Sequence, residues 1–497
     1  MGKFSSKKAL LLSVLSMVIC VSMLIGSTFA WFTDSATANV NEIKSGNLDI
    51  VLEKQNADGT WSEVSENTAL DFLRKGTDGK LAEDANIFWE PGCTFELPML
   101  RIRNNGNLAL KYQVVISGAT GNTMLLDVIK FTAKIDNEDG KEINVKDGGA
   151  VAEGELIANG DESVVAISAH MDETANNDYR EKSVSGIKIS VFATQLNHEF
   201  DSNGNDYDKN ASLPAISIDA LKEALAAGGS VTLGQNLDMT GKGGSEQVNI
   251  SKDGSVDFNG YKLVGTLEVG TYSALDGAVN VTIKDTAVGN NYSVVANYTK
   301  TETGMMKQIA AISVMKPTVT IESGRFSANN AVVNCQVQGV FGADGTQWKF
   351  SATNPQPLPE EIMTTLVING GQFDAVGGGV CLATITGKAI VNGGVFTAEA
   401  NGAIVYAGSG DSHQKTETII NDGEFTANGE GGVAFYFGSE KGNVVVNGGT
   451  FNVSALVGGE NGTLVINGGT FNVDPTAYIG EGCTVTANAN GTWTVTK

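Results

Sequence analysis

The chain has 497 residues, enough for about three domains of ordinary size. Its 61 glycines and only 8 prolines exclude collagen-like and proline-rich stalk proteins, and they favour many tight turns between short strands. Its formal net charge of −23 repels phosphate backbones, so nucleic acid is excluded as a partner.

Residues 1–30 predict a secretory signal peptide. Three lysines precede an apolar run over 9–26, and Thr28 and Ala30 suit a cleavage site between Ala30 and Trp31. The alternative is a retained membrane anchor, but the run is short for spanning a bilayer. We therefore expect cleavage, secretion and no stable transmembrane anchor in the mature chain.

Five cysteines indicate no disulfide scaffold. Cys20 leaves with the signal peptide, and the remaining four are too sparse for a stapled fold. Two interpretations stay open for Cys335 and Cys381, which are a bridge between them or two buried free thiols.

Residues 31–200 predict a jelly-roll β-sandwich. Apolar residues alternate over 48–52, 108–116 and 187–192, and 104–107 (Asn-Asn-Gly-Asn) is typical of a turn. Short strands with little helical pattern favour two packed antiparallel sheets.

Four stretches of this region resemble the TasA/camelysin family of Gram-positive matrix proteins. They are 29–34 with 45–50, 90–92, 102–112 and 186–195, so the resemblance covers about 20–200. It implies export through a SipW-type signal peptidase, a place on the cell surface or in the extracellular matrix of a biofilm, and a jelly roll whose mature N-terminus completes a neighbouring subunit's sheet.

The freed arm could pair with another copy, because an unpaired sheet edge offers N–H and C=O groups to an incoming strand. The donor-strand candidates are Trp31, Phe32, Leu48 and Ile50. The alternative is that the arm folds back into its own sheet.

An acidic linker is predicted over 201–214. Asp201, Asn203 and Asn205 mimic the first three ligand positions of a calcium loop, but the later glycine and glutamate of such a loop are missing. An EF-hand is therefore excluded. We expect no cofactor, with calcium at these three residues as the weaker alternative to a solvated linker.

A parallel β-helix is predicted over 215–497, beginning with a short capping helix. Ser217 suits the N-cap, Ile218, Leu221 and Leu225 share one helix face, and Gly228 ends the helix. Such a helix would cover the open apolar end of the first rung.

The β-helix prediction depends on a phrase that ends in Gly-x-Phe and occurs six times. Its phenylalanines are Phe326, Phe373, Phe396, Phe425, Phe451 and Phe471. In five phrases an asparagine stands two residues before the glycine, at Asn369, Asn392, Asn421, Asn447 and Asn467. Successive phenylalanines are 47, 23, 29, 26 and 20 residues apart, which indicates one rung per phrase of a right-handed coil, with 47 as two rungs.

Each phrase predicts the same corner. The glycine allows a positive φ, the phenylalanine and a preceding branched residue point inward, and the asparagines bond along the axis. A β-propeller is the alternative, disfavoured by short and uneven spacings.

Catalysis is not expected. From residue 213 onward the only arginine is Arg325 and the only histidine is His413, whereas a polysaccharide lyase or hydrolase needs carboxylates with cations beside them. The first region has His170 and His198 without an H-E-x-x-H motif, so a metallopeptidase is not indicated.

The sequence thus predicts a secreted, non-catalytic surface or matrix protein with a structural or adhesive role. Its partners would be other copies, other matrix proteins or a glycan. The alternative is a carbohydrate-binding or carbohydrate-active β-helix, for which Tyr406, Phe435, Tyr436 and Phe437 are candidate contacts, with only alternate members facing outward.

Overall fold

The first part of the chain consists of antiparallel strands. The structure is a computed structural model. It describes residues 47–497 except 66–67, 69, 76–80, 83–87, 118, 147, 197–211, 271–278, 288–290, 303, 305, 316–317, 336–363 and 409–415. The strands before residue 200 are β1 (Ile50–Gln55), β2 (Trp61–Glu63), β3 (Arg74–Lys75), β4 (Leu81–Ala82), β5 (Thr94–Glu96), β6 (Leu100–Asn104), β7 (Leu110–Ser117), β8 (Thr120–Gly121), β9 (Ile129–Ile135), β10 (Lys141–Ile143), β11 (Gly149–Leu156), β12 (Glu162–Met171), β13 (Val184–Ser185) and β14 (Lys188–Gln195).

Two main sheets form a β-sandwich. The larger has the order β10-β9-β12-β6-β1-β2, with β5 also paired to β12, and the smaller has the order β11-β7-β14. In β12, residues alternate between buried and more exposed positions along the whole strand. Leu100, Val114, Phe131 and Ile167 from both sheets meet in one apolar core.

Single-turn 3-10 helices join some of these elements. Among the described residues they are Thr123–Asp127, Asn177–Tyr179 and, near the C-terminus, Thr476–Tyr478.

A short α-helix, α1 (Ile218–Ala227), precedes the second part of the chain. The hydroxyl of Ser217 accepts a hydrogen bond from the N–H of Ala220, and Gly228 ends the helix at φ +84°. Leu221 and Leu225 are buried against the first coil strands, as the amphipathic spacing predicts.

The strands after α1 are short and numerous. They are β15 (Gly229–Thr232), β16 (Leu237–Asp238), β17 (Gln247–Ile250), β18 (Gly254–Asp257), β19 (Leu263–Val264), β20 (Thr266–Val269), β21 (Asn280–Lys284), β22 (Val294–Ala296), β23 (Thr299–Lys300), β24 (Met306–Lys307), β25 (Ala310–Val314), β26 (Thr318–Ile321), β27 (Arg325–Ala328), β28 (Ala331–Cys335), β29 (Thr365–Ile368), β30 (Gln372–Ala375), β31 (Val380–Thr384), β32 (Gly387–Val391), β33 (Val395–Ala398), β34 (Ala403–Ala407), β35 (Thr416–Ile420), β36 (Glu424–Ala427), β37 (Val433–Phe437), β38 (Asn443–Val446), β39 (Thr450–Val453), β40 (Ala455–Gly459), β41 (Thr463–Ile466), β42 (Gly469–Phe471), β43 (Thr484–Ala487) and β44 (Trp493–Thr496).

Apart from the antiparallel β23–β24 hairpin and the last two strands, these strands wind into a parallel β-helix with three sheets. Sheet one runs β15-β18-β21-β26-β29-β32-β35-β38-β41, sheet two begins β16-β19-β22-β27, and sheet three runs from β17 to β40. The chain visits the sheets in the order one, two, three, and neighbouring rungs pair in parallel. The all-β prediction with a sandwich followed by a parallel coil is confirmed, and the propeller alternative is excluded.

One prediction about the rungs is wrong. The 47 residues between Phe326 and Phe373 form one rung instead of two, because β27 pairs directly with β30 and the two phenylalanines stand opposite each other. Residues 336–363, which include the excess length, lie outside the described residues.

The last part of the chain changes direction. β42 pairs antiparallel with β44, which pairs antiparallel with β43. Tyr478, Ile479 and Val485 pack against the end of the coil core. No helix among the described residues is long and apolar enough to cross a bilayer.

Candidate interaction surface on the β-helix

The phenylalanines form a continuous column inside the coil. All six are 0–1% exposed, and successive ring centroids from Phe326 to Phe471 lie 5.4, 4.6, 5.0, 4.5 and 4.8 Å apart. Their ring planes differ by 8–26°. At the N-terminal end Phe258 meets Phe326 edge to face, at 6.4 Å. The column therefore gives neighbouring rungs a common register and orientation.

Glycines make the corner between sheets one and two. At Gly394 φ is +115°, and an added Cβ would lie 3.1 Å from the carbonyl oxygen of Gly371. At Gly393 an added Cβ would lie 2.9 Å from the carbonyl oxygen of Asn369, so both glycines lie against the rung before them. The corner thus requires a positive φ and a close approach between the backbones of neighbouring rungs, and a side chain would disturb both.

The asparagines beside this corner form a ladder of hydrogen bonds. Each amide nitrogen donates to the amide oxygen of the rung before it, over 2.9, 2.8, 2.9 and 3.0 Å from Asn392 to Asn467. The first, Asn369, donates to the carboxylate of Glu322 over 3.0 Å. All five donate in the same direction along the axis, which orders the amides on the protein surface.

The outer face of sheet one carries this ladder beside two other columns. The N–H of Asn392 donates a hydrogen bond to the carbonyl of Ile368 in the neighbouring strand, so the extended conformation continues to Asn392. Because side chains two residues apart in a strand share a face, Ile390 and Asn392 both face outward. We call the following fifteen residues the ladder face: Thr365, Val367, Asn369, Lys388, Ile390, Asn392, Glu417, Ile419, Asn421, Asn443, Val445, Asn447, Thr463, Val465 and Asn467.

An aliphatic stripe runs along the middle of the ladder face. Its members are partly exposed and are Val367, Ile390, Ile419, Val445 and Val465. In the earlier rungs the same column holds hydroxyl side chains, at Ser255, Thr282 and Thr320. Sequence reasoning missed this stripe, although two adjacent branched residues before each asparagine indicate that one of them must face outward.

The candidate aromatic contacts divide into buried and exposed side chains. Phe435 and Phe437 are buried in the core, whereas Tyr436 is 42% exposed. The ring of Tyr436 stacks on Tyr406 at 5.6 Å, and its other side lies against Gly458 and Gly459, where added Cβ atoms would come within 3.3 and 2.9 Å. Tyr406 therefore covers one face of the ring, and the other face lies beside two residues that have no side chain.

The charged candidates are held by local partners. The guanidinium of Arg325 donates to Asp374 over 3.0 Å and to the hydroxyl of Tyr292 over 3.2 Å, and it lies 4.2 Å from the centroid of that ring. His170 lies 2.8 Å from the hydroxyl of Thr94 and 3.6 Å from Glu173. These contacts hold both side chains against residues of their own surroundings.

The cysteines of the described part of the chain are free thiols. Cys335 stands opposite Thr384, three residues past Cys381, so this register does not bring the two sulfurs face to face. Burial raises the pKa of the Cys335 thiol to about 12, and burial likewise raises the pKa of Cys381. Of the two interpretations, the structure shows buried free thiols.

The remaining candidates concern the start of the chain and the linker. Ile50 begins β1, which pairs with β6 of the same chain, so folding back is what occurs over Ile50–Gln55, and Ile50 is no free donor. Leu48 just precedes β1 and is 40% exposed. The other calls lie outside the described residues, and they are Ala30, Trp31, Phe32, His198, Asp201, Asn203, Asn205 and His413.

A family comparison is informative for the N-terminal region only. The model of the camelysin metallo-endopeptidase family matches residues 5–60, so that stretch is similar to camelysin and the coil is not part of the match. No curated protein matches the chain.

The metal that this family's name implies has no fitting donor set in the part of the chain that the structure describes. There, no three His, Cys, Asp or Glu side chains converge. His170 is engaged with a threonine and one glutamate on the sandwich surface.

Proposed function

We propose that this chain is an exported structural protein of the cell surface or extracellular matrix, without catalytic activity. In this proposal the β-helix is a rigid rod that presents its outer faces, and the sandwich is the unit through which copies or other matrix proteins assemble. Export would proceed through a SipW-type signal peptidase that cleaves between Ala30 and Trp31.

The continuous stack of rungs is the observation that carries the proposal. Sheet one pairs nine strands in unbroken parallel order, and one apolar core extends from α1 to Val495. A stack in which every rung packs on its neighbours forms a stiff, elongated scaffold. The similarity of residues 5–60 to camelysin agrees with a secreted structural role.

The sandwich offers an edge for assembly. β14 ends the three-stranded sheet, and among the described residues β7 is its one strand partner. In an edge strand alternate residues turn their N–H and C=O groups away from the paired strand, so residues 188–194 provide a row of such groups along that edge. We propose that residues 31–46 of another copy add a strand to such an edge.

Electron microscopy of two purified chains tests this function. A chain beginning at Trp31 should form filaments as its concentration rises, and a chain beginning at Gly46 should stay dispersed. Filaments from neither chain would contradict assembly, and filaments from both would contradict a role for the arm. Catalysis is checked separately with polygalacturonate and casein, for which the proposal expects no products.

A further inference from the structure

The ladder face has the chemistry of a binding surface for a neutral polymer. Among its fifteen residues the charged ones are Lys388 and Glu417, which pair at 3.0 Å and cancel each other. The whole chain has a formal net charge of −23, and this face is a nearly neutral strip bordered by the carboxylates of Glu322, at the N-terminal end of the ladder, and Asp422. An anionic ligand would find no excess of positive charge there.

The ladder asparagines keep hydrogen-bonding capacity for a ligand. An amide has two N–H groups and an oxygen with two lone pairs, and the ladder uses one of each from Asn392, Asn421 and Asn447. These three side chains are exposed, and the glycines that follow Asn392 and Asn447 place no side chain over them. The face thus presents donors and acceptors once per rung.

The aliphatic stripe supplies the complementary apolar contact. It lies parallel to the ladder, two residues away on each strand, from Val367 to Val465. A sugar ring has hydroxyl groups at its rim and C–H groups on its faces, so one ring can meet both columns at once. In an extended hexose chain the rise per sugar is also close to the spacing between neighbouring rungs.

The size of the face distinguishes between occupants. Five rungs about 4.8 Å apart and three columns about 6.7 Å apart cover roughly 250 Å². A stable pair of proteins buries about 800 Å² on each partner, so a second copy would have to contact surface well beyond the ladder face. A single polymer chain is narrow enough to be held within it.

We propose that the ladder face binds a neutral, unbranched polysaccharide along the coil axis, with its hydroxyls on the asparagine amides and its C–H faces on the aliphatic stripe. This inference deepens the adhesive part of the proposed function and depends on export, since such polymers lie outside the cell.

Co-sedimentation of the full mature chain with insoluble polysaccharides tests the inference. The probes are cellulose, chitin and linear β-1,3-glucan, with a polygalacturonate gel as the anionic comparison. The protein should sediment with at least one neutral probe and stay in solution with polygalacturonate. Binding to none of the neutral probes would overturn the inference.

A matched pair of variants locates the site. Ile419→Lys puts a charge in the middle of the stripe and should weaken binding at least tenfold. Val395→Lys makes the same kind of change at an aliphatic residue that is 40% exposed on sheet two, and it should bind within twofold of the natural chain. Equal binding by all three chains, or equal loss in both variants, would contradict the assignment.

Two further measurements keep the outcomes distinct. Val445→Thr conserves volume but adds a hydroxyl, so it should weaken binding several-fold even if Ile419→Lys does not fold. Light scattering that shows a dimer broken by Ile419→Lys would instead make the face an interface between copies and overturn the inference. Filament formation is scored independently, so lost filaments with retained glycan binding would refute only the assembly proposal.

Discussion

The sandwich and the β-helix pack their aromatic residues in opposite ways. In the sandwich, Phe72 meets Trp89 at an interplanar angle of 85°, and Trp89 meets Phe95 at 73°. In the coil, Phe373 and Phe396 are nearly parallel at 10°. Sandwich strands approach from different directions, whereas each coil rung is the previous rung shifted along one axis. Repetition therefore leads to parallel stacking, and a non-repeated core allows edge-to-face contacts.

The largest expected difference comes from emptying each core. Phe396→Ala and Phe131→Ala should each cost about 3–5 kcal/mol, because both rings are buried and a cavity remains. Hydrogen exchange measured peptide by peptide should show Phe396→Ala weakening the rungs on both sides while the sandwich keeps its protection. Phe131→Ala should do the reverse. Loss of protection in both parts from either variant would contradict two separate cores.

The same contrast explains which features could be predicted from sequence. Each coil rung repeats one set of positions, so the corner glycines, the inward phenylalanines and the asparagine columns were assigned residue by residue. The sandwich has no sequence repeat, so only its fold class could be inferred from the alternation of apolar and polar residues. In sequence the stripe residues have the same apolar character as the core residues beside them, such as Ile390 beside Val391, so the stripe was not predicted. The 47 residues between Phe326 and Phe373 have the length of two rungs, although they form one.

Glycine substitutions should differ between the coil corner and the sandwich in their effect on the free energy of unfolding. Gly394→Ala should cost about 1–3 kcal/mol, because its φ is +115° and the neighbouring rung lies close. Gly149→Ala in β11 should stay within about 1 kcal/mol of the natural chain, because its nearest neighbour would be 3.7 Å from the new Cβ. Urea denaturation measures both, and equal costs would contradict the special role of the corner.

Position along the ladder should matter within the coil. Asn421→Ala removes two ladder hydrogen bonds, at about 0.5–1.5 kcal/mol each, whereas Asn467→Ala removes one ladder hydrogen bond and a weaker one that the Cys483 thiol donates over 3.8 Å. Because these side chains are exposed, we expect values near the lower limit. Thermal unfolding should rank the central variant as the less stable, and the opposite order would show that the ladder does not act as a chain of pairs.

Acid should affect the N-terminal rungs of the coil through Glu246. Burial would raise the pKa of this carboxyl, but hydrogen bonds from Lys307 at 2.7 Å, Gln308 at 2.6 Å and the backbone of Gly241 outweigh burial and hold the pKa below the usual 4.5. The stabilisation that the ionised Glu246 carboxylate provides is therefore present above pH 4.5 and is lost as the pH falls through the lowered pKa of this group.

The control for this pH dependence is Glu246→Gln. It should be less stable than the natural chain at neutral pH, and the difference should shrink on acidification below pH 4.5. Exchange rates of peptides from β17, β20 and β25, compared between pH 6 and pH 3.5, measure the effect. If the stability difference between Glu246→Gln and the natural chain grew in acid, the lowered pKa of Glu246 would be contradicted.

Cysteine cross-linking between neighbouring rungs tests the stacked coil most directly. Val395 and Glu424 face outward and stand opposite each other in β33 and β36, whereas Val395 and Thr450 are two rungs apart. In oxidising buffer Val395→Cys with Glu424→Cys should form a disulfide, because paired strands bring Cα atoms within bonding range. Val395→Cys with Thr450→Cys should stay reduced. A bridge in the second pair, or none in the first, would contradict the register on which the whole account depends.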